Sequence, residues 1–136
     1  MNPWVWAGLA CCAMWGLSRF FPKLATRHID PQSAFAFEVA GEALIAIAIL
    51  AGVGFRPNLQ LRGVFYALLA GVFGGLGVYA YLLGAQRGQV SQLVIVSALY
   101  PVITVLLGVL VLGEPFTARQ LAGLVLALAA ILLVAT

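Results

Sequence analysis

Charge is scarce in this sequence of 136 residues. Only 8% of the residues are charged and 64% are hydrophobic, whereas a soluble domain carries about 25% charged and about 45–50% apolar residues. Seven Lys or Arg and four Asp or Glu are too few to solvate the surface of a globular protein. This scarcity excludes a soluble enzyme, a disordered tail and a nucleic-acid-binding module. It predicts an integral membrane protein whose main partner is the lipid bilayer.

Cysteine is scarce too, and the pattern of the two residues present excludes further classes. Cys11 and Cys12 are adjacent, so they cannot build a disulfide framework, and they lack the spacing of a metal site. The sequence carries no ATP-binding motif, and its N-terminus lacks the basic region of a signal peptide. We therefore expect no catalytic residues, no metal and no cofactor, and we expect the first apolar run to be kept as a helix.

Long apolar runs dominate what is present. A bilayer core about 30 Å thick needs roughly 20 apolar residues in a helix, because a helix rises about 1.5 Å per residue. Five runs meet this requirement: residues 3–21, 33–54, 63–84, 91–112 and 118–134. Hydrocarbon offers no partner to an unpaired backbone amide, so each run is predicted to be helical. The predicted fold is an all-α integral membrane bundle of five transmembrane helices in one domain, residues 1–136.

Glycine, proline and polar residues mark where these helices end or bend. Gly113 follows the fourth run and is placed to terminate its helix. Thr117 and Gln120 have the spacing of a capping box that opens the fifth helix. Pro101 lies in the middle of the fourth run, where a missing N–H and the bulk of the ring predict a kink.

The distribution of Lys and Arg between the two membrane faces is nearly even. The basic residues on the face of the N-terminus are Arg56, Arg62 and Arg119, and those on the other face are Arg19, Lys23, Arg27 and Arg87. The count is three against four, or three against three if Arg19 lies inside the membrane. Because a Lys and Arg excess normally sets orientation, the near balance predicts insertion in both orientations. The alternative is one fixed orientation, set by Lys23 and Arg27 beside the first helix.

Two glutamates in the second run are the most informative polar residues. Glu38 and Glu42 lie four residues apart, on one face of a helix, at depths of about 8 Å and about 14 Å. A carboxylate at such depth costs at least a few kcal/mol unless it faces a cavity or a partner. The two are predicted to bind substrate or protons, since hydrocarbon disfavours the charged form. The alternative is a structural pair, for which Arg19, at a similar depth, is the evident partner of Glu38.

Four aromatic residues deep in the predicted spans are candidates for the wall of a binding pocket. They are Trp15 in the first run, Tyr79 and Tyr81 in the third, and Tyr100 beside Pro101 in the fourth. Aromatic faces attract cationic or amphipathic solutes. The alternative for each tyrosine is ordinary packing or anchoring at the membrane interface.

Several short motifs give the chain a family resemblance. They are Trp15-Gly16, Lys23-Leu24-Ala25, Tyr100-Pro101, Leu112-Gly113-Glu114 and Gln120-Leu121-Ala122-Gly123. With them, the sequence resembles the EamA-like domain of the drug/metabolite transporter superfamily over essentially the whole chain, most strongly over residues 70–135. Larger members carry two such units in opposite orientation, so the resemblance implies the small branch with a single five-helix unit. It also implies a pocket built from the first, third and fourth helices, with the second nearby. Paired glutamates inside the membrane are not a general feature of this superfamily.

These inferences together predict a secondary transporter of a small metabolite or drug-like solute in the cytoplasmic (inner) membrane. One unit cannot supply both halves of a site between inverted repeats. A homodimer, antiparallel through insertion in both orientations, would supply both and bring two Glu42 carboxylates near the midplane, where a proton and a cation could compete. The alternatives are a non-catalytic subunit of a hetero-oligomeric transporter or lipid-carrier flippase and, third, a channel.

Overall fold

A computed structural model describes residues 3–135 of the chain. In that range the protein is entirely α-helical apart from turns and loops, which confirms the all-α class. The helices are α1 (Pro3–Ala25), α2 (Pro31–Gly52), α3 (Leu61–Arg87), α4 (Val90–Ser97), α5 (Tyr100–Leu112) and α6 (Ala118–Ala135). They divide between two compact units, α1–α3 and α4–α6, with the boundary after Arg87. The predicted single domain includes residues 1, 2 and 136, which lie outside the described residues.

Three helical segments within residues 3–135 are long and apolar enough to cross a membrane. They are Pro31–Gly52, Leu61–Arg87 and Val90–Leu112, the last comprising α4 and α5. Ala118–Leu133 is apolar but shorter. The first helix is not among the three, since its tryptophans, glycines and Arg19 dilute its apolar content. The five membrane crossings therefore stay a prediction.

The fourth predicted helix, residues 91–112, is two helices rather than one. The helix stops at Ser97 and resumes at Tyr100, with ψ near 1° at Ala98 and −16° at Leu99. Pro101 occupies the first turn of α5, a position where its missing N–H is tolerated. It cannot donate to the carbonyl of Ser97, one turn earlier, so the helix breaks upstream of the proline. The five predicted apolar segments are therefore helical, and the fourth is interrupted just before Pro101, where the sequence predicts a kink.

Local capping explains where the other helices begin and end. The Asp30 carboxylate accepts from the Ser33 N–H at 3.1 Å and from the Ser33 hydroxyl at 2.7 Å, so α2 starts at Pro31. At the other end of the chain, Gly113 adopts a left-handed φ of 67° and ends α5, as predicted.

The predicted capping box at the start of α6 is confirmed. The backbone N–H of Thr117 donates to Gln120 Oε1 at 2.8 Å, and the N–H of Gln120 donates to Thr117 Oγ1 at 3.3 Å. This reciprocal pair satisfies two N–H groups that the first turn of a helix leaves without partners.

Two hydrogen bonds fix the register of α1 against α3. The Tyr81 hydroxyl donates to the carbonyl of Arg19 at 2.9 Å, and Lys23 Nζ donates to the carbonyl of Ala85 at 2.8 Å. Both bonds join residues 62 positions apart, so α1 and α3 run in the same direction and match turn for turn. The last turns of these two helices and the first turns of α2 form one end of the unit, which we name the packed end.

The core of the α1–α3 unit lies at the packed end. Its buried residues are Pro22, Pro31, Ala34, Tyr81, Leu82 and Ala85. Small residues such as Ala34 and Ala85 let neighbouring helices approach closely. The remaining part of the unit, which we name the open end, comprises the first half of α1, the second half of α2 and the first half of α3. Large apolar side chains there, such as Trp6, Leu44 and Phe65, are exposed.

Candidate functional site

The candidate site is a polar cluster that joins all three helices of the first unit. It consists of Arg19 on α1, Glu38 on α2 and Tyr81 on α3. A terminal guanidinium nitrogen of Arg19 lies 3.6 Å from Glu38 Oε1, and the guanidinium carbon lies 5.2 Å from the centre of the Tyr81 ring. The Arg19–Glu38 pair proposed from the sequence is therefore present in the structure.

The depth of the cluster explains why these residues can meet. Arg19 lies six residues before the end of α1, Glu38 seven residues after the start of α2, and Tyr81 six residues before the end of α3. At about 1.5 Å per residue, all three lie roughly 9–11 Å from the helix ends of the packed end. The helices alternate in direction, so this common level places a base, an acid and a phenol side by side.

The geometry around Arg19 is that of a loose ion pair. A separation of 3.6 Å is longer than a hydrogen bond, although it is still within the distance of about 4 Å that defines an ion pair. The Arg19 and Glu38 side chains keep 28% and 22% of their surface exposed. A distance of 5.2 Å to the Tyr81 ring lies within the range of a cation–π interaction. The guanidinium therefore has three partners: the Glu38 carboxylate, the Tyr81 ring and the Ser18 hydroxyl, which accepts from Arg19 Nε at 3.4 Å.

Tyr81 and Lys23 hold the cluster in place. The Tyr81 ring is buried, and its hydroxyl is anchored on the backbone of α1. One turn beyond Arg19, the Lys23 ammonium donates to the carbonyl of Ala85 in the last turns of α3. A positive charge at this end of a helix also interacts favourably with the helix dipole. Sequence reasoning assigned Lys23 to membrane orientation and to a family motif, but not to this cluster. Its position four residues after Arg19, on the same helix face, was the signal that could have found it.

An open cleft of about 350 Å³ lies beside the cluster. Its polar lining includes Ser18 and Glu38, and its apolar lining includes Phe21, Phe37 and Leu82. The volume is at the lower end of the range of about 300–1,000 Å³ for small-molecule pockets. Within residues 3–135, no group of three His, Cys, Asp or Glu side chains is placed to hold a metal ion. The arrangement offers one carboxylate to a largely apolar ligand.

Glu42 does not join this cluster. It lies one turn farther along α2, about 16 Å from the start of the helix, and its side chain is exposed. It has no ion-pair partner among the residues that the structure describes. The two glutamates that the sequence treats as one stripe thus have different surroundings: Glu38 faces Arg19, and Glu42 lies on the outside of the unit.

The four aromatic candidates are not gathered into one wall. Tyr81 belongs to the cluster, whereas Tyr79 is half-buried and packs edge-to-face on Phe35 with ring centres 5.7 Å apart. Trp15 on α1 is exposed. Tyr100 begins α5 and is exposed within the second unit.

Phe35 is a contact that sequence reasoning missed. Its ring lies 3.5 Å from the point where a side chain on Gly75 would begin, which is an ordinary van der Waals distance, so Phe35 packs against α3 at this residue. The spacing of Phe35, three residues before Glu38 and on the same helix face, was the available signal.

A second cleft, of about 340 Å³, lies within the α4–α6 unit. The Glu114 carboxylate lines it, together with Phe116, Gln120 and Gly123. A Glu114 oxygen lies 3.0 Å from the position of a Cβ on Gly108, so the missing side chain of Gly108 makes room for this carboxylate. The backbone N–H of Glu114 also donates to the Gly108 carbonyl at 3.2 Å, and this hydrogen bond closes the turn at the end of α5.

Comparison with known proteins gives the family. The model of the EamA-like transporter family matches residues 2–136, so the chain belongs to that family, which confirms the resemblance to the drug/metabolite transporter superfamily. An uncharacterised protein of Methanocaldococcus jannaschii is 27% identical over 126 residues, which cover 93% of this chain and 91% of that protein. No solved structure matches the chain. Family membership and the apolar helices together indicate a membrane protein with a role in transport.

Proposed function

We propose that this protein is a secondary transporter of a small metabolite or drug-like solute in the cytoplasmic membrane, coupled to protons and active as an inverted homodimer. The observation that carries the proposal is the Arg19–Glu38 pair, which is kept among apolar helices beside an open cleft. Membership of a transporter family supports the same activity.

The energetic cost of the ion pair supports a functional role. Charged side chains inside a bilayer cost several kcal/mol, and an apolar pair of similar size is often at least as stable as a buried ion pair. A chain with only four acidic residues nevertheless places Glu38 here. Because intramembrane charges commonly mark solute and ion pathways, we infer that Glu38 and Arg19 line the solute path.

Three observations support an inverted second copy. Arg19 pairs with Glu38 inside the first unit, and if it also lies inside the membrane the count of Lys and Arg on the two predicted faces is three against three. Glu42 and the open end expose surfaces that a second chain could cover. Sites of secondary transporters lie between inverted repeats, and a flipped copy of the same chain would supply the missing repeat.

Glu42 is the proposed proton site of this dimer. Two Glu42 carboxylates near the midplane would repel each other, and a proton shared between them would relieve that repulsion. A proton on one of them would weaken its attraction for a cationic solute. Exchange of proton for solute could then accompany rocking of the two copies.

Reconstitution of the purified protein into liposomes tests the proposal. We expect saturable solute exchange driven by a pH gradient. Exchange should be retained in Asp30→Asn, whose side chain caps α2, and should be uncoupled from pH in Glu42→Gln. Exchange that requires a second gene product would contradict the homodimer and favour a subunit of a hetero-oligomeric transporter or lipid-carrier flippase. Flux without saturation would indicate a channel.

A further inference from the structure

We propose that Arg19 competes with an amphipathic organic cation for the Glu38 carboxylate. Arg19 neutralises Glu38 in the empty cleft and moves onto the Tyr81 ring when the cation binds the carboxylate. This inference rests on the proposed transport function. It assigns a substrate class to the cleft. It also assigns roles to Arg19 and Tyr81, which belong to the polar cluster but do not line the cleft.

The looseness of the ion pair is the first step of the argument. Lys23 reaches its acceptor at 2.8 Å, and Ser33 reaches Asp30 at 2.7 Å, but Arg19 stops 3.6 Å from Glu38. Partly exposed pairs of this kind contribute little to stability. Another cation can therefore displace Arg19 at small energetic expense, while the carboxylate never remains uncompensated.

The lining of the cleft selects the competing ligand. Glu38 is the charged residue among the described residues that line it, and most of the others are apolar, including Phe21, Phe37 and Leu82. Neither Arg19 nor Tyr81 is part of this lining. A ligand in the cleft thus meets a negative charge and an apolar surface, which complement an organic ammonium ion that carries a hydrophobic group.

The Tyr81 ring gives the displaced guanidinium a second position. The ring is buried and fixed by its hydroxyl, and the guanidinium already lies 5.2 Å from its centre. A cation over an aromatic face gains more where water is excluded. Arg19 can therefore leave Glu38 without entering lipid as an isolated charge.

Binding of benzyltrimethylammonium to the purified full-length protein, measured by calorimetry, tests the competition. The uncharged carbon isostere neopentylbenzene is the control ligand. Arg19→Gln removes the competitor, so its Kd for the cation should fall about three- to tenfold, whereas Arg19→Lys keeps a competing charge and should stay nearer the wild type. The Kd for neopentylbenzene should be the same in the wild type, Arg19→Gln and Arg19→Lys. Glu38→Gln should bind benzyltrimethylammonium no more tightly than neopentylbenzene.

A matched pair at Tyr81 keeps the test informative if Arg19→Gln does not fold. Tyr81→Phe and Tyr81→Leu both lose the hydroxyl, but only the first keeps the ring. The leucine variant should bind benzyltrimethylammonium several-fold more weakly, because Arg19 then has no second position. Neopentylbenzene carries no charge to compete with Arg19, so its binding should not differ between the two variants.

Three results would overturn the inference: weaker cation binding by Arg19→Gln, equal binding by the phenylalanine and leucine variants, or no preference for the cation over its isostere. Each can occur in a protein that still exchanges some solute across liposomes, in which case the proposed function stands. Failure of the proposed function has a different signature, the absence of exchange for every solute by the wild-type protein.

Discussion

The packed end and the open end of the first unit use the same three helices in different ways. At the packed end, small and buried residues bring the helices together, and Tyr81 and Lys23 tie α1 to α3 through backbone carbonyls. At the open end large apolar side chains such as Trp6, Leu44 and Phe65 are exposed, and the residues that form the buried core are absent from this part of the unit. The difference teaches that apolar character alone does not fix these helices against one another, because lipid solvates such side chains as well as another helix does.

The two glutamates of α2 follow the same division. Glu38 belongs to the packed end and has a partner within its own unit, while Glu42 is exposed one turn farther on. We infer that the packed end forms within one copy and that the open end depends on lipid or on another copy. The predictions below test this contrast, from the largest expected effect to the smallest.

Truncation of a buried leucine should have the largest effect. Leu82 is 1% exposed at the packed end, whereas Leu44 is 68% exposed at the open end. Leu82→Ala should lower the free energy of unfolding by about 2–4 kcal/mol, because it leaves a cavity, and Leu44→Ala should lower it by less than about 1 kcal/mol. Unfolding in mixed detergent micelles measures both. Equal losses would mean that the open end is covered as tightly as the packed end.

Removal of the Lys23 ammonium should have the next largest effect. Lys23→Met keeps the length of the side chain but not the donor to Ala85, so we expect a loss of about 1–2 kcal/mol in the free energy of unfolding. Arg27→Met, at an exposed position four residues later, is the control. A loss no greater than that of the control would show that the hydrogen bond does not tie α1 to α3.

The hydroxyl of Tyr81 should contribute less. Tyr81→Phe keeps the buried ring and removes one hydrogen bond to the carbonyl of Arg19, which costs about 1 kcal/mol. Tyr66→Phe, on the exposed part of α3, should change stability by no more than a few tenths of a kcal/mol. The same unfolding assay compares them, and an unchanged stability of Tyr81→Phe would remove the hydroxyl from the account of the packed end.

The smallest effect is expected at Gly71. No neighbouring atom lies within 4 Å of a Cβ placed there, so Gly71→Ala should raise the free energy of unfolding of the monomer by about 0.5–1 kcal/mol through helix propensity. Analytical ultracentrifugation of the same variant shows whether association changes. A loss of stability in the monomer would contradict the open surroundings of this residue.

The sequence predicts the parts of this structure that depend on local chemistry. Apolar composition requires helices in a membrane, and Gly113, Thr117 and Gln120 act within one helical turn, so their roles could be inferred without coordinates. The Arg19–Glu38 pair could also be predicted, because both residues lie at the same distance from neighbouring helix ends. The depth of a residue in a membrane helix follows from its distance along the sequence from the helix end, and side chains on neighbouring helices can pair only at similar depths.

What could not be predicted depends on register and rotation between helices. The bond from Lys23 to Ala85 needs the match between α1 and α3, and the packing of Phe35 on Tyr79 needs the rotation of α2. The predicted kink at Pro101 differs from the observed helix break at Ala98 and Leu99 for another reason. Pro101 removes a bond to a residue one turn earlier, so its effect appears upstream of the proline itself.

The central claim is that each copy works beside an inverted copy, and the orientation of α2 in the membrane tests it most directly. Single cysteines at His28→Cys and Leu59→Cys, on either side of α2, can be introduced into a chain that carries Cys11→Ala and Cys12→Ala. An impermeant maleimide applied from outside should label roughly half of the molecules at each position, because Lys and Arg are nearly even between the two predicted faces. Complete labelling at one position and complete protection at the other would contradict the account.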